Sequence, residues 1–387
     1  MSVVIQAALL LWVARQSSPA DFGGLMAGLS AAYVVVALGD GGLQPFAIRE
    51  RASDRTERPQ AGTTAFTHAS RLTAVVAAGI VAVLPLAVPG LSVWHAAGVA
   101  AMVWLERQFL GRLSLAIAVG RSVPTSALLV VARVTAAVVM VAGHLLGWSD
   151  EIANYLLGSI AGLGTSLVVA MLAFPQQKEA ELPSWGQLMK SARPFWWSNL
   201  WTQLRGLDAF LVGLVASPTT VAHYALPNRL GQAVRVVPSV LSSLGQPAAV
   251  REDAPRLRRL DLATAATCFC GVLAWLLLLF FGNDPFLTLV GAAYEGAFMP
   301  LLWVAAAQVV NVPGIYLSGV LIGRGLERQV AQLDAVVTVL LIVGVLLAAS
   351  THGATGAAAG LFVAMTCQSV GAAVLRHHKG WYSWSTI

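Results

Sequence analysis

Runs of about 20 apolar residues follow one another through this sequence from one end to the other. Each is long enough to cross the roughly 30 Å hydrocarbon core of a bilayer as a helix rising about 1.5 Å per residue. Lipid offers the backbone no hydrogen bonds, so runs of this length fold as helices rather than as open strands. Spans are expected near residues 1–15, 22–48, 65–88, 91–120, 123–147 and 151–174. A second set is expected near 190–216, 219–249, 259–282, 296–322, 328–350 and 354–375. The fold class is therefore an all-α integral membrane protein of about 12 transmembrane helices. Charged residues make up 11% of the chain, against roughly a quarter in soluble globular proteins, which excludes an ordinary water-facing surface. Hydrophobicity spread from end to end also argues against a cleaved leader ahead of a globular body. The first run is short and begins at Met1.

The loops set the orientation. Those after the second and eighth spans hold Arg49, Arg51, Arg55 and Arg58, then Arg251, Arg256, Arg258 and Arg259. Other even-numbered ends carry Arg121, Lys178 with Lys190 and Arg193, Arg324 with Arg328, and finally Arg376 and Lys379. Odd-numbered loops are nearly bare of basic residues, with Arg15 as the exception. Positive loops stay on the cytoplasmic side, so both termini are expected there, in an inner (plasma) membrane. The net charge of +6 thus reports orientation rather than a nucleic-acid partner.

The chain also repeats itself. Gln44-Pro45-Phe46-Ala47-Ile48-Arg49-Glu50 recurs as Gln246-Pro247-Ala248-Ala249-Val250-Arg251-Glu252. Ser18-Pro19 is matched by Ser217-Pro218, and Leu113-Ser114 with Gly120-Arg121 by Leu317-Ser318 with Gly323-Arg324. Three matches in order at nearly one offset point to two similar halves. The expected organisation is an N-lobe over 1–174 (helices 1–6), a cytoplasmic linker over 175–189, and a C-lobe over 190–387 (helices 7–12 and a short tail). Six spans per repeat places the lobes in the same sense, related by a pseudo-two-fold axis along the membrane normal. Two such lobes suit an alternating-access transporter.

A charge at mid-membrane costs at least about 2.5 kcal/mol and usually faces a partner or a cavity. Counting along each span places Arg133, Arg205, Arg229, Arg235, Arg107 and Arg112 at membrane depth. Arg133, for example, lies twelve residues inside Arg121, roughly 18 Å from the end of its span. The acids against them are Asp40, Glu106, Asp208 and, nearer an end, Asp334. Asp208 follows Arg205 by three residues and can pair with it; Glu106 and Arg107 are adjacent and face apart. Pairing neutralises only part of the positive charge. Guanidinium stays protonated and presents a planar fork suited to phosphate oxygens, so an anionic ligand accounts best for the surplus. For Arg112 and Arg235, nearer the cytoplasmic side, snorkelling is an equal alternative. Asp208 suits holding Arg205 in place as well as carrying a proton, and Asp40, in Gly39-Asp40-Gly41-Gly42, suits satisfying backbone at a helix break as well as a coupling role.

Other residues read as structural. Cys268, Cys270 and Cys367 lie in apolar runs without metal-site partners, and the histidines are scattered, so neither metal nor cofactor is expected. Trp196, Trp197 and Trp201 fit an interfacial belt. Pro227, Pro238 and Pro313 interrupt spans eight and ten. No GxxxxGK loop is present, which argues against nucleotide hydrolysis.

Pro19-Ala20-Asp21-Phe22-Gly23 and Gly39-Asp40-Gly41-Gly42-Leu43, leading to Ala47 and Arg49, resemble the second-helix signature of polysaccharide flippases. These belong to the multidrug/oligosaccharidyl-lipid/polysaccharide exporter superfamily. Ala192-Arg193-Pro194-Phe195, Arg205 with Asp208, Tyr224 with Arg229, and Leu289-Val290-Gly291 through Tyr294 and Ala297 to Gly323-Arg324 extend the resemblance over almost the whole chain. It implies a two-lobed fold with a central cationic cavity. The implied activity moves an undecaprenyl-pyrophosphate-linked oligosaccharide from the cytoplasmic to the outer leaflet, for cell-surface polysaccharide export. Arg205 and Arg229 become the first candidates for contacts to the pyrophosphate or sugar acids. Expected partners are the lipid-linked anionic glycan, membrane lipids and polysaccharide polymerisation machinery, with no nucleic acid. A cation-coupled multidrug antiporter on the same fold is the alternative; it calls for cavity acids, and the first span holds only Gln6. A membrane-embedded glycosyltransferase would need a sizeable outer loop with catalytic acids or histidines, which the short loops do not supply. The protein is therefore expected to be a transporter rather than an enzyme.

Overall fold

The computed structural model describes residues 2–52, 60–88, 90–118, 121–174 and 185–378. Most of the expected linker (175–184), the loop residues Arg55 and Arg58, and the tail with Lys379, Trp381 and Trp384 lie outside the described residues. The elements of the first half are α1 (Ser2–Gln16), α2 (Pro19–Gly39), α3 (Leu43–Ala52), α4 (Gln60–Ala87), α5 (Val93–Ala118), α6 (Ser122–Leu145) and α7 (Glu151–Ala173). There follow α8 (Trp185–Leu204), a 3-10 turn (Arg205–Leu207), α9 (Asp208–Val215), α10 (Pro218–Val234), α11 (Val236–Val250) and α12 (Ala254–Phe281). The chain closes with α13 (Asn283–Val290), a second 3-10 segment (Ala292–Ala297), α14 (Phe298–Gly323) and α15 (Glu327–His378).

These helices follow the apolar runs closely, and the departures have local causes. Asp40, Gly41 and Gly42 separate α2 from α3, with Gly41 at φ +62° and Gly42 at φ +79°, a backbone state that glycine adopts without a Cβ penalty. Span eight breaks at Arg235, between α10 and α11, where the ring of Pro238 would clash with the carbonyl of Val234, four residues before it. Pro227 and Pro313 lie inside continuous helices. The last two spans form one helix by hydrogen bonding, but Gly353 (φ +58°, ψ −138°) turns the chain where the loop was expected. The short helix α13 was not anticipated.

Among the described residues seven helices are long and apolar enough to cross a membrane, and α15 supplies two crossings. The remaining crossings are short α1, α5 with its three charged residues, the broken α8–α9 and the broken α10–α11. The expected membrane-depth arginines other than Arg133 all lie in these imperfect spans.

Two compact units emerge, Met1–Phe210 and Leu211–Ile387. In the first, α5 packs against α2, α4 and α7, and α8 packs on α2 and α3. Leu43, Phe46, Phe66, Leu188 and Ala192 form one buried cluster there. In the second, α14 is central, lying against α10, α11, α12 and α15. Leu241, Leu257, Tyr316, Leu321 and Val330 are buried around it. Small residues let helices touch backbone to backbone, the usual means of packing where lipid removes the hydrophobic drive. A Cβ on Gly162 of α7 would fall 2.1 Å from the Ala132 carbonyl oxygen of α6. Conversely, Phe269, Leu277, Phe280 and Phe281 of α12 are exposed, as suits a face turned to lipid.

One repeated sequence motif occupies a repeated structural role. Ser18 and Ser217 each cap a helix that opens on proline, accepting from the amides of Asp21 and Thr220 respectively.

Candidate functional site

In the first unit, the α2–α3 break positions the first charged pair. Asp40 is 1% exposed; its Oδ1 accepts from the Gly42 amide at 2.7 Å and its Oδ2 accepts from Arg107 of α5. Backbone satisfaction and ion pairing thus coincide on one carboxylate. The neighbouring Glu106 faces another way, as the sequence requires, and accepts from Arg133 of α6 and from the Tyr33 hydroxyl of α2. Two of the six arginines are therefore neutralised in pairs that tie α5 to α2 and to α6. Arg112 instead lies 5.8 Å from the Phe66 ring centre, a cation–π arrangement that lets a half-buried guanidinium rest on apolar surface.

Arg205 opens the 3-10 turn, where side chains at i and i+3 eclipse, so it shares a face with buried Asp208. The turn is held to α2: Ser30 Oγ donates to the Gly206 carbonyl and accepts from the Phe210 amide. Gly206 approaches α2 closely, since a Cβ there would lie 3.2 Å from Val34. Trp196 of α8 donates its indole N–H to the Leu38 carbonyl at 3.0 Å, capping the end of α2 beside the glycine break. That bond gives Trp196 a structural task beyond the interfacial belt expected for it.

In the second unit, Arg229 donates to Gln232 Oε1 at 3.2 Å, one turn further along α10. Among the described residues no carboxylate pairs with Arg229. Arg235, at the α10–α11 break, donates through Nε to Gln308 Oε1 of α14 at 2.7 Å. Gln308 and Asn311 are each 4% exposed, and Gln308 Nε2 and Asn311 Oδ1 have no protein partner. Neutral side-chain amides thus accompany both arginines, Gln232 beside Arg229 and Gln308 beside Arg235. Tyr33, Gln232 and Gln308 were missed in the sequence. Polar residues inside apolar runs were the available signal.

Other charged contacts sit near helix ends. Arg376 makes a bidentate pair with Asp261 at 2.9 and 2.8 Å. His95 of α5 meets Asp150, and His144 of α6 meets Glu151, at 2.8 and 2.6 Å. Partial burial pushes the Asp150 carboxyl up, but the Ala153 amide and the His95 ring hold it below its ordinary value. Among the described residues no group of three or more histidine, cysteine or acidic side chains could hold a metal ion.

No protein-family model matches the chain, and no curated protein matches it. Among solved structures it is similar to the inward-facing conformation of a multidrug resistance MATE family transporter of the MOP superfamily (TM-score 0.79, 13% identity, 100% of this chain and 96% of that one). It is also similar to the lipid II flippase MurJ in an inward closed conformation (TM-score 0.77, 11% identity, 97% and 86%). A MATE transporter in complex with MaD5 follows (TM-score 0.68, 12% identity, 98% and 92%). At these identities the likeness is one of fold. The chain is a multi-pass membrane protein with the fold of MOP-superfamily transporters, of about twelve helices.

Proposed function

We propose that this protein is a flippase that moves an undecaprenyl-pyrophosphate-linked oligosaccharide from the cytoplasmic to the outer leaflet by alternating access. It would serve cell-surface polysaccharide export in an inner membrane, with both termini cytoplasmic and polymerisation machinery downstream. One observation carries the reading: Arg229 of α10 donates to a neutral glutamine, with no carboxylate partner among the described residues. A pyrophosphate crossing hydrocarbon unaided meets a very large desolvation cost, and guanidinium groups offset it with bidentate, charge-assisted hydrogen bonds. Arg205 and Arg229 are proposed as the principal contacts. Arg235 and Arg112 assist, and Arg107 and Arg133 engage the cargo only by leaving Asp40 and Glu106. Asp208 positions Arg205. The shared fold with a lipid II flippase supports the reading.

A multidrug antiporter is the second reading, favoured by the likeness to a multidrug transporter and by the buried carboxylates of Asp40 and Glu106. Proteoliposomes separate the two. Transbilayer movement of a fluorescent undecaprenyl-pyrophosphate oligosaccharide supports the flippase. Cationic dye efflux under a proton or sodium gradient, with no lipid movement, replaces it with the antiporter.

A further inference from the structure

We propose that Gln308 is the positioning residue for Arg235, holding its guanidinium inside the second unit as a contact for the cargo pyrophosphate, an inference that rests on the flippase reading above. Snorkelling and cargo contact are equal readings of Arg235 in the sequence. A snorkelling side chain runs its charged head out to interfacial water. Arg235 does the opposite: its Nε donates at 2.7 Å to Oε1 of Gln308, a buried residue on the central helix α14. Val234, Val236 and Val237 beside it are exposed, so the chain carries Arg235 along an exposed surface and the side chain turns inward from it. The main chain of Arg235 is fixed as well. Its carbonyl accepts from the Ser239 hydroxyl at 2.8 Å and from the Ser239 amide at 3.1 Å. Gly231, four residues earlier on α10, lets α14 approach, since a Cβ there would fall 3.1 Å from Cγ of Gln308 and 2.9 Å from Val304.

The chemistry of the pair points to an anion. An acceptor on Nε orients the guanidinium plane while engaging neither terminal nitrogen, and the terminal pair is the part of the fork that suits phosphate oxygens. Packing does not account for a glutamine at this position. Its Nε2 is buried without a hydrogen-bond partner, as is Oδ1 of Asn311 one turn further along α14, and each such orphan destabilises the fold. Methionine would fill a similar space with no polar group to satisfy. Glutamate would hold the guanidinium more strongly, through a charge-assisted bond, but would set a negative charge against it. Glutamine supplies the acceptor that Nε needs and adds no opposing charge, the combination that a contact for a phosphate requires.

The test compares Gln308→Met, Gln308→Glu, Arg235→Gln and the double variant Gln308→Met with Arg235→Gln in proteoliposomes. It reads the initial rate of movement of a fluorescent undecaprenyl-pyrophosphate oligosaccharide against its concentration, beside the unfolding midpoint of each protein. Gln308→Met should raise the half-saturating concentration by about tenfold, the effect of one charge-assisted hydrogen bond no longer held in place, with a midpoint no lower than that of the unmodified protein. Gln308→Glu should raise it at least as much while raising the midpoint, because the new carboxylate competes with the cargo for the guanidinium. In the Arg235→Gln background Gln308→Met should change nothing further, since it acts through the arginine. A merely structural glutamine gives a different pattern, in which transport falls only as the midpoint falls. Unchanged half-saturation in either folded Gln308 variant, a loss that only follows a lowered midpoint, or a Gln308→Met effect that persists in full without Arg235 would overturn the role of Gln308 and leave the flippase standing. An unmodified protein that moves no lipid-linked pyrophosphate would overturn the flippase reading itself, and this role with it.

Discussion

Removing Glu106 alone should be far more harmful than removing it together with Arg133. The two side chains are 8% and 11% exposed, and Glu106 also accepts from Tyr33, so the carboxylate compensates a cation and a hydroxyl at membrane depth. Breaking a buried pair from one side typically costs about 3–5 kcal/mol, because the surviving charge remains desolvated. An arginine at a helix centre carries a similar insertion cost of about 2.5–3.5 kcal/mol, so the two estimates converge. Glu106→Gln is therefore expected to destabilise the protein by about 3 kcal/mol. In a Tyr33→Phe background, which removes the hydroxyl that would lose its acceptor, the apolar double variant Glu106→Leu with Arg133→Met should lie within about 1 kcal/mol of its parent, since paired charges exchanged for packed apolar groups are often neutral. The assay is reversible unfolding in lipid bicelles, followed by tryptophan fluorescence, for both single variants and the double variant. A double variant as unstable as the sum of the singles would refute the pairing. So would a Glu106→Gln protein within about 0.5 kcal/mol of the original, the level at which independent sites add.

Other consequences test the packing and the periphery. Gly42→Ala should cost at least about 2 kcal/mol, since it strains a positive φ and drives a Cβ to 2.4 Å from the Trp196 backbone nitrogen; the unfolding midpoint of the purified protein reports it. Gly162→Leu should separate α6 from α7 and cost about 1–3 kcal/mol or more, measured the same way. Asp150→Asn keeps the helix cap but loses the charge facing His95. Because the Asp150 carboxyl titrates lower when folded, its contribution is complete above the unfolded value near pH 3.9 and disappears as pH falls through the folded value. With the Asp150 side chain 53% exposed, the loss at pH 7 should be under about 1 kcal/mol, and the two unfolding curves should converge as pH falls below about 3.9.

The span pattern was legible because lipid imposes it. Apolar length, glycine pairs and proline mark where helices run and break, and the α2–α3 break and the turn at Gly353 fell where those signals stood. The capping by Ser18 and Ser217 depends on a few adjacent residues, and their match along the chain was legible as a repeat. Rotation about the helix axis was not, and rotation decides partners. Adjacency correctly separated Glu106 from Arg107, yet nothing local shows that Glu106 meets Arg133 and Tyr33 while Arg107 meets Asp40. The 3-10 turn at Arg205 has no proline to announce it. It forms where Gly206 can approach Val34, a tertiary fit invisible along the chain. Helix α13 was hidden because its eight residues are too few to carry a clear period.

The most direct test of the proposed function is the initial rate of transbilayer movement of a fluorescent undecaprenyl-pyrophosphate oligosaccharide, comparing the unmodified protein with Arg205→Ala and Arg229→Ala. If guanidinium groups carry the pyrophosphate, each substitution should slow movement by at least about tenfold, one lost charge-assisted contact being worth about 1.5–3 kcal/mol. The folded fraction in detergent should be unchanged. Rates equal to that of the unmodified protein in both variants would contradict the assignment of these arginines to the cargo.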